Sequence, residues 1–204
     1  SQYSGKNNFQ AIHAVEGIAL RFSVAISVLV ALAAFFMPQR MMQLFTADQE
    51  LITIGASYLR IMGITYICWG ISEIYLAVLR SIGRVTVSMA LNMLAFILNI
   101  LLNATFIFGL FGIPKLGATG VAIATALSRM IQLITCTVVS FMSKDVKLNL
   151  AYMFIKSKVL LNDFIRLSLP ALGNDLSWSV AFSMYSVILG HLGTDAVAAN
   201  SLVT

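Results

Sequence analysis

From Val85 to Pro114 the chain runs thirty residues without a charged side chain, and most of them are apolar. A single helix of about 20 apolar residues crosses a hydrocarbon core about 30 Å thick, so this run is long enough to span a bilayer. Its full extent, Val85 to Phe111, is joined by four further segments of the same kind: Gly17 to Met37, Leu51 to Leu79, Leu116 to Met142 and Leu167 to Leu189. A sixth run opens at Ala196. The 204 residues are 59% hydrophobic and 10% charged, whereas a soluble domain carries about 25% charge. Too few charges remain to cover a water-facing surface, which excludes soluble enzymes and nucleic-acid binders. Of the 13 Lys and Arg, set against 8 Asp and Glu, eleven fall at span ends and not along the basic stripe that a nucleic acid requires. The expected fold is an all-α, polytopic transmembrane helix bundle. Opening at Ser1 without a methionine and stopping at Thr204 within an apolar run, the chain reads as an internal segment of a longer membrane protein.

Basic residues are retained on the cytoplasmic side of short loops. With the amino end cytoplasmic, that side holds Lys6, Arg21, Arg80, Arg84, Lys144, Lys147, Lys156, Lys158 and Arg166, and the other side only Arg40 and Lys115. The count places the amino end inside. The longest inner connection, 143–166, mixes large apolar residues with Lys and Arg, a composition suited to an amphipathic helix in the interface or to a solvated loop. Short outer connections, Phe111–Gly120 and Gly190–Asp195, are built from turn residues and lead into small-residue helix starts. Small faces let membrane helices approach closely.

An ionisable group inside a span costs about 2.5–3.5 kcal/mol at the bilayer centre on insertion scales, so it normally faces the bundle interior. Arg60, Glu73, Arg129 and Asp175 are in that position. Arg60 and Glu73 are about 20 Å apart along one helix and need separate partners. Glu73 lies near Arg80 and Arg84, and Arg129 calls for carbonyls or an acidic group. Asn92, Asn99 and Asn103 share one face of the third span, because steps of seven and four residues leave net turns of about −20° and +40°. Thr125, Ser128 and Gln132 form a matching stripe on the fourth. Facing stripes make either interhelical hydrogen bonds or the wall of a wet pocket. In the fifth span Asn174 and Asp175 follow Pro170, which removes a backbone donor and bends helices; bent helices beside polar residues recur at transporter sites. Tyr58, Tyr66, Trp69, Tyr75, Trp178, Tyr185 and ten Met residues supply either lipid-facing surface or an adaptable apolar lining.

No phosphate-binding glycine loop, paired-cysteine motif or His-Glu-x-x-His occurs, so no enzyme chemistry is indicated. Cys68 and Cys136 read as small buried hydrophobes. His13 and His191 belong to opposite ends of the bundle. No cofactor or metal is expected.

Several runs together carry a resemblance: Tyr58-Leu59-Arg60-Ile61, Leu79 to Gly83, Leu98 to Gly109 with Asn99 and Asn103, and Gly112 to Arg129 with its Pro-x2-Gly-x2-Gly-x-Ala-x-Ala-Thr series. Leu169-Pro170-Ala171 and Gly190 to Ala199 extend it. The chain resembles the multidrug and toxic compound extrusion (MATE) family over nearly its whole length. That resemblance implies twelve helices in two six-helix lobes and export of organic cations and drugs against protons or sodium. It implies that residues 1–142 belong to the amino-terminal lobe, covering family helices three to six after the end of helix two. Residues 143–166 would then be the lobe linker, and 167–204 helix seven and the start of eight. By position Asn99, Asn103 and Thr125 match the family's polar cluster of the amino-terminal lobe, where some members carry an acidic residue in place of Asn103. Asp175 falls on helix seven, where some members use an acidic residue.

The candidate cation-coupling or cavity residues are therefore Asn99, Asn103, Thr125, Asp175 and Glu73, followed by Asn92, Ser128, Gln132, Asn174 and Arg129. The expected protein is a plasma-membrane exporter of small amphipathic or cationic compounds, in contact with membrane lipids and dependent on the rest of its own chain. Two other functions fit the sequence. A lipid-linked oligosaccharide flippase of the same superfamily would use Arg60 and Arg129, and a non-transporting scaffold would use the polar stripes as helix glue.

Overall fold

A computed structural model describes residues 9–110, 114–143 and 158–192. They form helices α1 (Phe9–Phe36), α2 (Pro38–Gln43), α3 (Gln49–Ser81), α4 (Val85–Phe108), α5 (Gly117–Met142) and α6 (Lys158–Leu192). Four of these, Ile12–Phe36 within α1 together with α3, α4 and α5, are long and apolar enough to cross a membrane. The chain is a multi-pass, all-α membrane protein.

Each helix boundary has a local cause. Pro38 opens α2, where its missing N–H is no loss and its fixed φ suits the first turn. Asp48 caps α3, its carboxylate accepting from the Glu50 amide at 2.8 Å and the Leu51 amide at 3.4 Å. Gly109 ends α4 at φ 73°, a left-handed conformation that a Cβ disfavours. The Leu116 amide then donates to the Phe106 carbonyl at 3.1 Å, closing the α4–α5 hairpin. Asp48→Ala is expected to cost about 1 kcal/mol, the usual value of an N-cap, read as a lower midpoint of thermal unfolding in detergent with transport unchanged.

The packing order is α1 on α3, α3 on α5 and α5 on α4. Thus α5 lies between α3 and α4, although α3 and α4 are consecutive. Its sequence explains the insertion: Gly120, Ala124, Ser128, Gln132, Cys136 and Ser140 recur at every fourth position and are all buried. Such a narrow, mostly small face admits a neighbour on either side. Gly63 serves the α1–α3 contact, since a Cβ there would meet the Ala31 carbonyl oxygen at 3.3 Å. The apolar core is Tyr75, Leu76, Leu79, Leu91 and Cys136. Around it the usual distribution is inverted: Ser72, Ser88, Ser128 and Gln132 are buried while Phe22, Leu29, Phe36, Met93, Phe96 and Phe141 are exposed. A lipid-facing exterior produces this arrangement, because only the interior can satisfy hydroxyls and amides.

Three expectations require correction. The first helix begins at Phe9 and not at Gly17, so His13 and Glu16 belong to it. The fifth predicted span is helical, but α6 starts at Lys158, inside the stretch assigned to the linker, and runs unbroken through Pro170. Asn174, Asp175 and several serines dilute its apolarity, and it is not among the four helices apolar enough to span. Of the linker, 144–157 lie outside the described residues, as do His191's side chain and the run from Ala196. α6 meets the lobe where Phe164 stacks on Phe22 at 5.8 Å between ring centroids; from Leu169 to Ser186 it is exposed on all faces.

Candidate functional site

The two polar stripes predicted on the third and fourth spans face each other. Asn99 of α4 donates through Nδ2 to Thr125 Oγ1 and to Ser128 Oγ of α5, both at 3.3 Å. Its Oδ1 accepts from Asn103 Nδ2 at 3.0 Å. About 10 Å along α4, Asn92 Oδ1 accepts from Gln132 Nε2 at 2.9 Å. Thr125 and Ser128 turn their own protons to the Val121 and Thr125 carbonyls, each at 2.9 Å, which leaves their oxygens free to accept from Asn99. Asn103 Oδ1 is buried without a hydrogen-bond donor. An orphaned acceptor in a low-dielectric site is costly and is a natural place for a proton donor or cation.

The stripes border a cavity of about 360 Å³ lined by Asn92, Asn99, Thr125, Ser128 and Arg129, with Ala95 and Phe96 of α4 and Trp69 and Glu73 of α3 completing it. Glu73 Oε2 pairs with Arg80 Nη2 at 3.4 Å, both half-exposed. Arg80 also donates to Ser88 Oγ at 3.2 Å, which holds the pair beside the α3–α4 turn. Of the carbonyl and acidic partners expected for it, Arg129 takes a carbonyl: it donates to the side-chain amide oxygen of Gln132, Oε1, at 2.8 Å and lies 5.9 Å over the Trp69 ring. A guanidinium on an aromatic face keeps its charge while shedding water. The cavity therefore presents one carboxylate, one guanidinium, two amides, two hydroxyls and an aromatic wall, enough to hold an amphipathic molecule and orient its charged end.

The other candidates lie elsewhere. Asn174 and Asp175 sit on the exposed part of α6 and do not line this cavity. Arg60 lines a separate cavity of about 320 Å³ with Arg40, where α1 meets α2. Trp178 and Tyr185 are exposed, and Tyr75 is a core residue. Sequence reasoning gave Trp69 no special place, because its value comes from Arg129 on another helix. It also passed over Glu16, which is 1% exposed. Extending the apolar face of α1 back through Ile12 and Ala14 would have exposed that signal.

The MatE family model matches residues 1–105, half of the chain. The chain belongs to the MatE family. Among the relatives of this MatE chain is the uncharacterized transporter YisQ of Bacillus subtilis, 25% identical over 97% of this chain and 43% of its own length. Another is the probable multidrug resistance protein YoeA of the same organism, 27% identical over 99% of this chain and 44% of its own. The MatE fold is matched by the inward-facing conformation of a multidrug resistance MATE family transporter of the MOP superfamily, with a TM-score of 0.69 and 22% identity over 92% of this chain and 46% of that one. The chain thus spans less than half the length of the relatives it matches.

Proposed function

We propose that this MatE chain supplies the cavity-bearing helices of a multidrug exporter, a transporter and not an enzyme. Its relatives' names support that reading, and the single observation that carries it is the Asn99–Asn103–Thr125–Ser128 network beside a cavity holding Glu73 and Arg129. The exported compounds are amphipathic and cationic: Glu73 and the Trp69 ring attract a positive, flat molecule, and Phe96 gives it an apolar wall. Inward movement of a proton or sodium ion loads the polar network and shifts the cavity's preference between its two facing states, since a ligand shifts an equilibrium only by its differential affinity. Alternating access occurs by rocking of two lobes about a central cavity. The protein works in the plasma membrane with the amino end of α1 cytoplasmic, an orientation that the basic flanks support.

The test is export of a fluorescent lipophilic cation from vesicles containing the full-length protein, under an imposed proton gradient and then a sodium gradient. Extrusion driven by one of them is expected and names the ion. Absence of gradient-driven extrusion from folded protein overturns the antiport reading in favour of lipid-linked oligosaccharide flipping.

A further inference from the structure

Glu16 is the most deeply buried carboxylate among the described residues, and the cavity does not use it. Its residue is 1% exposed and its side chain fully enclosed, with neither carboxylate oxygen receiving a hydrogen bond. Among the described residues, His13 Nδ1, one turn earlier on α1, stands 3.6 Å from its Oε2. Tyr75 of α3, 0% exposed, lies within electrostatic reach of Glu16 and beside Ser140 of α5 and Ser143, which caps that helix. Other titratable or charged groups on α1 and on the helices packed against it are Arg21 on α1, Tyr75 and Arg80 toward the end of α3, and Asp163 and Arg166 on α6; Cys136 of α5 packs against Tyr75.

An ionised carboxylate without donors in such a place costs several kcal/mol. Its charge is cancelled by a proton on the carboxyl itself or on His13. No group of three His, Cys, Asp or Glu that could hold a metal ion occurs among the described residues. We propose that Glu16 is a proton-exchange site separate from the asparagine-lined cavity, gated by His13 at the cytoplasmic end. A buried carboxyl that gains and loses a proton within a packed helix junction biases that junction between two arrangements, because cores are bistable and not continuously deformable. The site itself stands on geometry; its use in export rests on the antiport reading.

Two measurements on the full-length protein separate these. In the first, the infrared carbonyl band of protonated carboxyls is followed from mildly acidic to mildly alkaline pH in wild type and in Glu16→Gln, with Glu16→Leu as a second variant that tolerates an apolar pocket. A band that titrates and is missing from both variants is the expected result. A carboxylate that stays ionised throughout, a band unchanged by either substitution, or a signal that follows added sodium and not pH overturns the proposal, whether or not the protein exports drugs. In the second, proton-driven export by Glu16→Gln is expected to fall by about 5- to 150-fold, the range of an ordinary coupling free energy, with binding of the fluorescent cation to solubilised protein retained. Export at the wild-type rate with an unchanged pH profile rejects a role for Glu16 in coupling.

Discussion

Replacing Asn99 by leucine is expected to reduce gradient-driven export by about 5- to 150-fold while most of the protein still folds and inserts. Asn99 is the node of the network, with bonds to Thr125, Ser128 and Asn103. Hydrogen bonds between membrane helices average about 0.6 kcal/mol each, so losing the two to α5 costs about 1 kcal/mol of stability. Leucine has a similar volume and leaves the helix contact filled. Functional loss therefore exceeds structural loss if the stripe binds the coupling ion or shapes the cavity. Flux per folded molecule in vesicles, set against the unfolding midpoint in detergent, separates the two. Asn92→Leu is the comparison, since it breaks the single bond to Gln132 farther from the orphaned Asn103 Oδ1. Flux retained in Asn99→Leu with only the stability loss shows that the stripe is helix glue.

The second large effect is expected at Gly120. A Cβ there would stand 2.9 Å from Phe106 Cβ and 3.3 Å from the Phe106 carbonyl oxygen, atoms that cannot rotate away. The same carbonyl accepts the Leu116 amide that closes the hairpin. Gly120→Val must separate α4 from α5 at their tightest point. Overpacking of this kind costs about 1–3 kcal/mol, and the displacement stretches the 3.3 Å contacts of Asn99 two turns away. Low yield of folded protein, and export lost in what survives, is the expected outcome. Gly83 makes a fair control for handling and insertion, because no atom lies within 4 Å of a Cβ there, although its φ of 87° adds local strain of its own. A Gly120→Val protein with wild-type unfolding and export contradicts the packing described for the hairpin.

Much of the site was legible because helix periodicity is a local property. The spacing of Asn92, Asn99 and Asn103 put them on one face, and Thr125, Ser128 and Gln132 on another. What no spacing supplied was the partner of each group. For Arg129 the sequence leaves carbonyls or an acid open, and the structure supplies the Gln132 amide oxygen together with the Trp69 ring. Glu73 was correctly placed near Arg80, which lies seven residues on and thus two turns along the same face. Glu16 escaped notice because the first helix was begun at Gly17. Charged and polar residues before that point, His13 and Glu16 among them, read as a flank when only hydropathy is weighed.

The sequence by itself determined the membrane class, four of the helices to within a few residues at most ends, and the polar face of α4 and of α5. Each of these follows from apolar length or from 100° of rotation per residue, and neither depends on distant contacts. Only the tertiary structure decided that α5 inserts between α3 and α4, that the two polar faces meet at one cavity with Glu73, and that Glu16 is enclosed. It also places Asp175 on the exposed part of α6, apart from that network. Those are choices among helix neighbours, and they rest on which small-residue faces fit closely and on which polar groups find partners once lipid surrounds the rest.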